Sequence, residues 1–252
     1  MSLFKKKKSH GVVIAGADKK TLHENLDFTS MEQYKLLRTN LEFVLPGNEK
    51  CPVIGITSSI RGEAKSTTAI NLAYVLAQKG HRVLLIDGDL RLPSLAKKLD
   101  ITGSFGLTDL LRGRKVNMED AKSELLENLY ILLAGEIPPN PSELLGSPRM
   151  EAVLNGLRES FDYIIIDLPP VNIVSDALAI SGLITGMVIV IREDYTEKKE
   201  LQNCFRQLKL SNVNVLGCVL NEAKAGKGAY GKYKKYYKNS KYKYYQYYTS
   251  NH

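Results

Sequence analysis

The sequence predicts an α/β domain built on a mostly parallel sheet covered by helices on both faces, and three features carry that prediction. Short, continuously apolar runs at 53–57, 82–87, 129–133, 161–167, 187–191 and 213–220 lack polar alternation, as strands buried on both faces should. Segments with helical periodicity lie between most of them. The 252 residues, 44% hydrophobic with 19 glycines, suffice for one full core and leave no room for a second large domain.

Residues 1–29 carry few apolar anchors and are expected to form an N-terminal arm. Ser30, followed three residues later by Gln33, has the form of a capping box and predicts a helix over 31–44. Tyr34, Leu37, Leu41 and Val44 line one side of that helix, and Glu32, Lys35 and Arg38 recur every three residues along another. This charged row reads either as a solvated face with weak intrahelical pairs or as a protein contact surface. Pro46 and Gly47 end the helix.

The stretch 53–68, VIGITSSIRGEAKSTT, runs from a buried strand through a glycine-bearing turn into a helix marked by Ala69, Leu72, Ala73, Leu76 and Ala77. A turn whose amides converge at a helix N-terminus attracts phosphate. Lys65 can reach the outer phosphates, and the Ser66 hydroxyl suits Mg2+. The pattern GxxxxGK[ST] would place glycine at positions 59 and 64, where this chain has Ser59 and Ala64.

Two acidic strand ends follow. RVLLID at 82–87 ends in Asp87, and Gly88, Asp89, Leu90 and Arg91 come next, with Pro93 placed to open a helix. An unpaired buried carboxylate is costly, so Asp87 should stand at a strand end with a partner, whereas Asp89 also suits a solvated turn. Residues 101–128 read as peripheral, with a short helix at 106–111 and a basic turn at 112–115. After the strand at 129–133, Pro138, Pro139 and Pro141 stiffen a loop before a short helix, and 147–157 is helical. FDYIIIDLPP at 161–170 is the second long apolar strand ending in an acid. Asp167 is placed to hold a metal ion or its water at the carboxyl edge of a parallel sheet, the plainer alternative being a helix cap or loop tether. A helical stretch at 176–183, a strand at 187–191, a helix at 197–208 and a strand at 213–220 complete the body, which is P-loop NTPase-like. Asn221 closes the last strand and suits either a base edge or a turn.

Charge is distributed unevenly. Four lysines and no acid occupy 1–8, and eight lysines and no acid occupy 224–252, so removing both ends from the formal +8 leaves −4 for 9–223. A uniformly basic nucleic-acid face does not fit that distribution, and no nucleic-acid partner is expected. Cys51, Cys204 and Cys218 lack CxxC spacing and read as buried free thiols in a reducing compartment. No apolar run approaches the roughly 18 residues needed to span a bilayer, and the N-terminus lacks a signal-peptide core, which predicts a cytoplasmic location. From Lys224 the composition changes to a flexible tail in which Tyr230, Tyr233, Tyr236, Tyr237, Tyr242, Tyr244, Tyr245, Tyr247 and Tyr248 are interleaved with lysine, glycine and asparagine. Composition leaves open three uses: stacking on RNA, lying on an anionic membrane, or accepting phosphate.

Taken together, these motifs resemble the bacterial tyrosine kinases of capsular and exopolysaccharide biosynthesis, over roughly residue 30 to the C-terminus. The resemblance implies a kinase domain over 30–223 that includes an oligomerisation helix. In it Ser59, Arg61, Gly62, Glu63, Ala64, Lys65, Ser66 and Thr67 form the Walker A loop for ATP, with Lys65 on the phosphates and Ser66 on Mg2+. LLIDGDLR at 84–91 matches the family's additional Walker A' motif, in which Asp87 and Asp89 help hold Mg2+ and Asp87 assists deprotonation of the incoming phenol. Asp167 matches Walker B, and Asn221 an asparagine expected near adenine. Glu32, Lys35 and Arg38 fall on an oligomerisation motif ExxRxxR, with Lys35 keeping the charge but not the fork of arginine. The implied assembly is a homo-oligomeric ring that phosphorylates its own tyrosine tails, partnered by a transmembrane chain-length regulator that recruits it to the inner face of the membrane, and opposed by a tyrosine phosphatase. A nucleotide-dependent assembly switch of the partitioning-ATPase type, with little kinase activity, is the alternative. If position 64 needs positive φ, Ala64 costs on the order of 1 kcal/mol and weakens ATP binding without abolishing it.

Overall fold

The computed structural model describes residues 25–47, 49–103 and 105–223. Most of the expected N-terminal arm and all nine tail tyrosines lie outside the described residues. Strands β1 (Val53–Ser58), β2 (Val83–Asp87), β3 (Leu129–Leu132), β4 (Tyr163–Asp167), β5 (Gly186–Arg192) and β6 (Val215–Asn221) form one sheet in the order β3-β2-β4-β1-β5-β6, and every neighbouring pair is parallel. All six therefore end on the same edge. The helices are α1 (Phe28–Val44), α2 (Lys65–Gln78), α3 (Leu95–Leu99), α4 (Leu107–Leu111), α5 (Pro141–Leu145), α6 (Pro148–Arg158), α7 (Asp176–Ala179) and α8 (Lys198–Leu210).

Successive side chains of a strand point to opposite faces, and this divides the core in two. Ile165 joins Ile54, Ile56, Leu72, Leu76 and Leu85 under α2, while its neighbours Ile164 and Ile166 join Leu84, Ile86, Leu154 and Cys204 under α6 and α8. Helix α2 is buried nearly all round, from Ser66 to Ala77. Its small residues Ala69, Ala73 and Ala77 suit a helix that packs between the sheet and α1.

Helix α1 begins at Phe28, three residues before the predicted start. Asp27 Oδ1 accepts from the amides of Thr29 at 2.8 Å and Ser30 at 3.1 Å, so Asp27 is the N-cap and Ser30 lies inside the first turn. A carboxylate outcompetes a hydroxyl for orphan amides because it is charged. Within the charged row, Lys35 Nζ pairs with Glu32 Oε1 at 2.8 Å. Arg38 Nη1 instead donates to the Val75 carbonyl at 2.7 Å and satisfies an orphan carbonyl in the last turn of α2. Arg38 thus fastens α1 to the body.

Residues 101–128 are not peripheral. Leu107 and Leu111 of α4 are buried, and the amides of Leu107 and Thr108 reach the Leu133 and Ala134 carbonyls at 2.7 and 3.0 Å. A Cβ at Gly106 would fall 2.2 Å from the Gly135 amide nitrogen, so this approach requires glycine. Cys51 and Cys204 are buried as expected, but Cys218 is exposed. It lies on the edge strand β6, on the side that also exposes Leu220. Among the described residues, no helix is long and apolar enough to cross a membrane.

Replacing the cap should separate the two capping residues. Asp27→Ala should lower unfolding free energy by about 1 kcal/mol in urea melts, with Ser30→Ala costing clearly less; the reverse order would restore the capping box.

Candidate functional site

Parallel pairing of β2 with β4 places Asp87 opposite Asp167, two fully buried carboxylates at adjacent strand ends. The close approach continues one residue further, where the Gly88 amide donates to the Asp167 carbonyl at 2.9 Å and a Cβ at Gly88 would lie 2.6 Å from Ile166 Cγ2. Lys65, the first residue of α2, reaches across from β1. Its Nζ lies 3.2 Å from Asp167 Oδ1 and 3.2 Å from Asp89 Oδ2. Asp89 is therefore a buried ion-pair partner and not a solvated turn residue.

Each carboxylate has at least one committed oxygen. Asp87 Oδ2 accepts from the amides of Ser94 and Leu95 at 3.0 and 2.9 Å, tying the loop after β2 back to the strand end. Asp89 Oδ1 accepts from the Leu92 amide at 3.1 Å, so both of its oxygens are occupied. Asp87 Oδ1 and Asp167 Oδ2 are buried with no hydrogen-bond partner. Ser66 hydrogen-bonds Asp167, and its Oγ accepts from Ser94 Oγ at 2.9 Å.

The electrostatics follow from this crowding. Burial, and then the charge of Asp167, push Asp87 up to about 7, against the pull of the Leu95 and Ser94 amides and Lys65. Burial also raises Asp167, with Lys65 opposing it. Burial alone would lower the Lys65 ammonium, but Asp167 and Asp89 reverse this and hold it above its ordinary value. Among the described residues no three acidic, histidine or cysteine side chains converge to enclose a metal. Mg2+ asks for less, since it keeps several waters and takes one or two carboxylates together with phosphate oxygens. The orphaned Asp87 Oδ1 and Asp167 Oδ2, with the Ser66 hydroxyl, fit that demand.

The loop between β1 and α2 contains positive φ at Gly62 (84°) and at Ala64 (67°), so the backbone at position 64 is the one that glycine favours. Its other side chains divide by role. Glu63 is buried and turns inward, accepting from Ser59 Oγ at 2.9 Å, from the Ile60 amide at 2.8 Å and from Thr196 Oγ1. Ser59 and Glu63 thus shape the loop from within. Arg61 is exposed and its carbonyl accepts from Tyr195 Oη at 3.1 Å, while Thr67 Oγ1 accepts from Lys98 Nζ at 3.3 Å. Arg192 Nη1 donates to the Gly62 carbonyl at 3.2 Å and its guanidinium stacks 4.9 Å from the Tyr195 ring. Asn221 pairs with Arg192 in the β5–β6 register and so closes β6 beside this loop.

Arg192, Tyr195 and Thr196 went unread in the sequence. The one available signal was a cation directly after the apolar run of β5. The sequence also gave no sign that Arg91 pairs with Asp176: Arg91 Nε and Nη2 lie 2.9 and 3.0 Å from the two oxygens of fully buried Asp176. The charged row Glu32, Lys35 and Arg38 stands apart from the site, on α1. A groove of about 360 Å3 on α8 is lined by Asn172, Glu200, Asn203, Arg206, Gln207 and Leu210. It lacks convergent acids, and Asn172 already bonds Glu200 and Gln207 there, so the chemistry belongs to the strand-end cluster.

A family model described as an AAA domain matches residues 51–216. The tyrosine-protein kinase YwqD of Bacillus subtilis is 38% identical over 216 residues, covering 85% of this chain and 87% of the relative. The chain belongs to the bacterial tyrosine-kinase family of capsule and exopolysaccharide biosynthesis. Among solved structures, the chimerical protein CapA2B2 superposes with a TM-score of 0.73 at 32% identity, covering 84% of this chain and 95% of that one. The septum site-determining protein MinD of Pyrococcus horikoshii, complexed with Mg-ADP, is more distant at TM-score 0.57 and 26% identity, covering 70% and 72%.

For this tyrosine-kinase family member the buried acid pair sets the pH dependence of the free protein. A carboxyl raised from 3.8 to about 7 on folding binds more protons in the native state between those values, so it costs stability progressively as pH rises from about 4 to 7. Asp87→Asn should therefore raise the melting temperature of metal-free protein at pH 8 and change it little at pH 4; equal shifts at both would remove the cause. Ala64→Gly should bind MgATP at least as tightly as the parent in calorimetry, because relief of the 67° φ favours the loop, and weaker binding would contradict the strain argument.

Proposed function

We propose that the chain transfers the γ-phosphoryl group of ATP to the tyrosines at 230–248, between copies of itself, and thereby regulates capsular or exopolysaccharide synthesis. The observation that carries this reading is the convergence of Lys65, Asp89 and Asp167 with the two unpartnered oxygens Asp87 Oδ1 and Asp167 Oδ2 at the end of the phosphate loop. The likeness to a Mg-ADP complex and to named tyrosine kinases supports the same site.

Mg2+ bound there supplies charge neutralisation on the phosphates. Lys65, paired with Asp89 and Asp167 in the free protein, would supply its positive charge to the phosphate oxygens. Asp167 and Ser66 would hold the metal ion. Asp87, in its ionised form, takes the phenolic proton as the oxygen attacks, the role that the family resemblance gives it. Positioning and charge stabilisation do most of the work in such transfers, and this cluster offers both.

The finer assignments follow the family. Glu32, Lys35 and Arg38 contribute to a homo-oligomeric ring in which tails reach neighbouring sites, although Arg38 is also spent on α2. Asn221 faces adenine. A cytoplasmic segment of a transmembrane chain-length regulator activates the chain and brings it to the inner face of the membrane, and a cognate phosphatase reverses the modification.

The test is incubation of purified protein with Mg2+ and labelled ATP, followed by mass spectrometric mapping. Phosphotyrosine at positions 230–248 should appear and should vanish in Lys65→Met. Nucleotide-dependent assembly without label would instead establish the switch.

A further inference from the structure

The segment that ends β5 and leads into α8 closes over one side of the phosphate loop. Tyr195 Oη donates to the Arg61 carbonyl at 3.1 Å, Arg192 Nη1 donates to the Gly62 carbonyl at 3.2 Å, and Thr196 Oγ1 donates to the buried Glu63 carboxylate. Three consecutive loop residues are thus gripped together. The grip is itself braced, because the Arg192 guanidinium lies 4.9 Å from the centre of the Tyr195 ring, Arg192 Nε donates to Glu222 Oε2 at 2.8 Å, and the Arg192 amide donates to Thr196 Oγ1 at 3.0 Å.

What the grip fixes follows from peptide geometry. A trans peptide is planar, with its C=O and N–H on opposite sides, and every peptide bond among the described residues is trans. Holding the Arg61 carbonyl against Tyr195 therefore turns the Gly62 amide away from Tyr195. Holding the Gly62 carbonyl against Arg192 does the same for the Glu63 amide. The competing arrangement is close at hand: flipping the peptide between residues 61 and 62 alters chiefly ψ of Arg61 and φ of Gly62, and glycine adopts positive and negative φ about equally, so the observed 84° is not enforced by Gly62 itself. A Cβ at Gly62 would fall 2.8 Å from Tyr195 Oη, which places the tyrosine hydroxyl directly on this pivot.

We propose that Tyr195 and Arg192 are positioning residues for nucleotide: by holding two carbonyls of the phosphate loop they present the Gly62 and Glu63 amides to the phosphate oxygens before the ligand arrives. The proposal rests on the ATP-binding reading above and deepens it, assigning the preorganisation of the loop to a segment 130 residues further along the chain. Donors already aimed at an incoming anion cost no reordering when it binds, which is where preorganisation gains affinity. Tyr195 acts here through the loop. Its one hydroxyl proton is committed to the Arg61 carbonyl, and phosphate oxygens ask for donors.

The experiment measures MgADP and MgATP affinity of the full chain by calorimetry, beside the melting temperature of nucleotide-free protein. Tyr195→Phe keeps the ring and removes the donor, and should weaken both nucleotides about fivefold, the usual worth of one hydrogen bond. Its nucleotide-free melting temperature should stay within about 3 °C of the parent. Arg192→Lys keeps a donor for the Gly62 carbonyl and should bind closer to the parent than Arg192→Met does, a comparison that also serves if Tyr195→Phe folds poorly. Parental affinity in Tyr195→Phe would overturn the proposal and leave the ATP-binding reading standing. A weakening matched by an equal loss of nucleotide-free stability would overturn it as well, since a plain brace of the fold gives that result. Equal losses in Arg192→Lys and Arg192→Met would overturn the part assigned to Arg192. A parent that binds no MgADP would refute the ATP-binding reading and the positioning role together.

Discussion

The structure depends on one costly juxtaposition. The register of β2 against β4 sets two carboxylates side by side at strand ends with no exposure to water, and one ammonium from a third element compensates them. Two buried like charges are unfavourable unless a cation or a proton intervenes. The fold can maintain this arrangement because its other parts are inexpensive: continuous apolar strands, an alanine-rich central helix, and backbone groups paired throughout a six-stranded ladder. Stability made elsewhere is held at this edge as unsatisfied acceptor capacity, which a phosphate-bound divalent cation relieves under the proposed function.

Holding that cluster requires loops that do not yield. The loop after β2 is fixed from three directions, by Asp87 on the Ser94 and Leu95 amides, by Asp89 on Leu92, and by Arg91 on Asp176. The phosphate loop is fixed from below by Glu63 and from the side by Arg192, Tyr195 and Thr196. An acid buried inside an anion-binding loop looks contradictory. Its charge is met by one hydroxyl and one amide within the turn and by the Thr196 hydroxyl beyond β5, and the carboxylate stiffens the backbone of the loop.

Much of this was legible in the sequence because the signals were local. An apolar run that ends in aspartate announces a strand reaching a polar edge, and this works for Asp87 and Asp167 because burial of an unpaired acid is expensive. The strand, turn and helix around Gly62, Lys65 and Ser66 announce the loop even though Ser59 and Ala64 replace the two glycines of the pattern. What failed was non-local. The tethers of Arg91 to Asp176 and of Tyr195 to Arg61 join residues 85 and 134 positions apart, and nothing in either neighbourhood names its partner. Five-residue α4 offers too few turns for periodicity, so its burial under the sheet was invisible. The early start of α1 was missed because Ser30 imitates a cap that Asp27 already provides.

An all-parallel sheet has a further consequence for how substrate and enzyme segments meet. Every strand delivers its continuing chain to the same edge, so the chain beyond Asn221 leaves β6 at the edge where β2 and β4 present their acids. In an antiparallel sheet the last strand would have an even chance of ending on the opposite side, a full strand length away. The order β3-β2-β4-β1-β5-β6 then sets the spacing: β6 lies four strands from β2, about 19 Å at ordinary strand separation. The six residues between Ala223 and Tyr230 make seven steps, about 24 Å when fully extended, and so exceed that distance. Topology alone thus delivers a basic, tyrosine-rich extension of this domain to the edge that carries the acids.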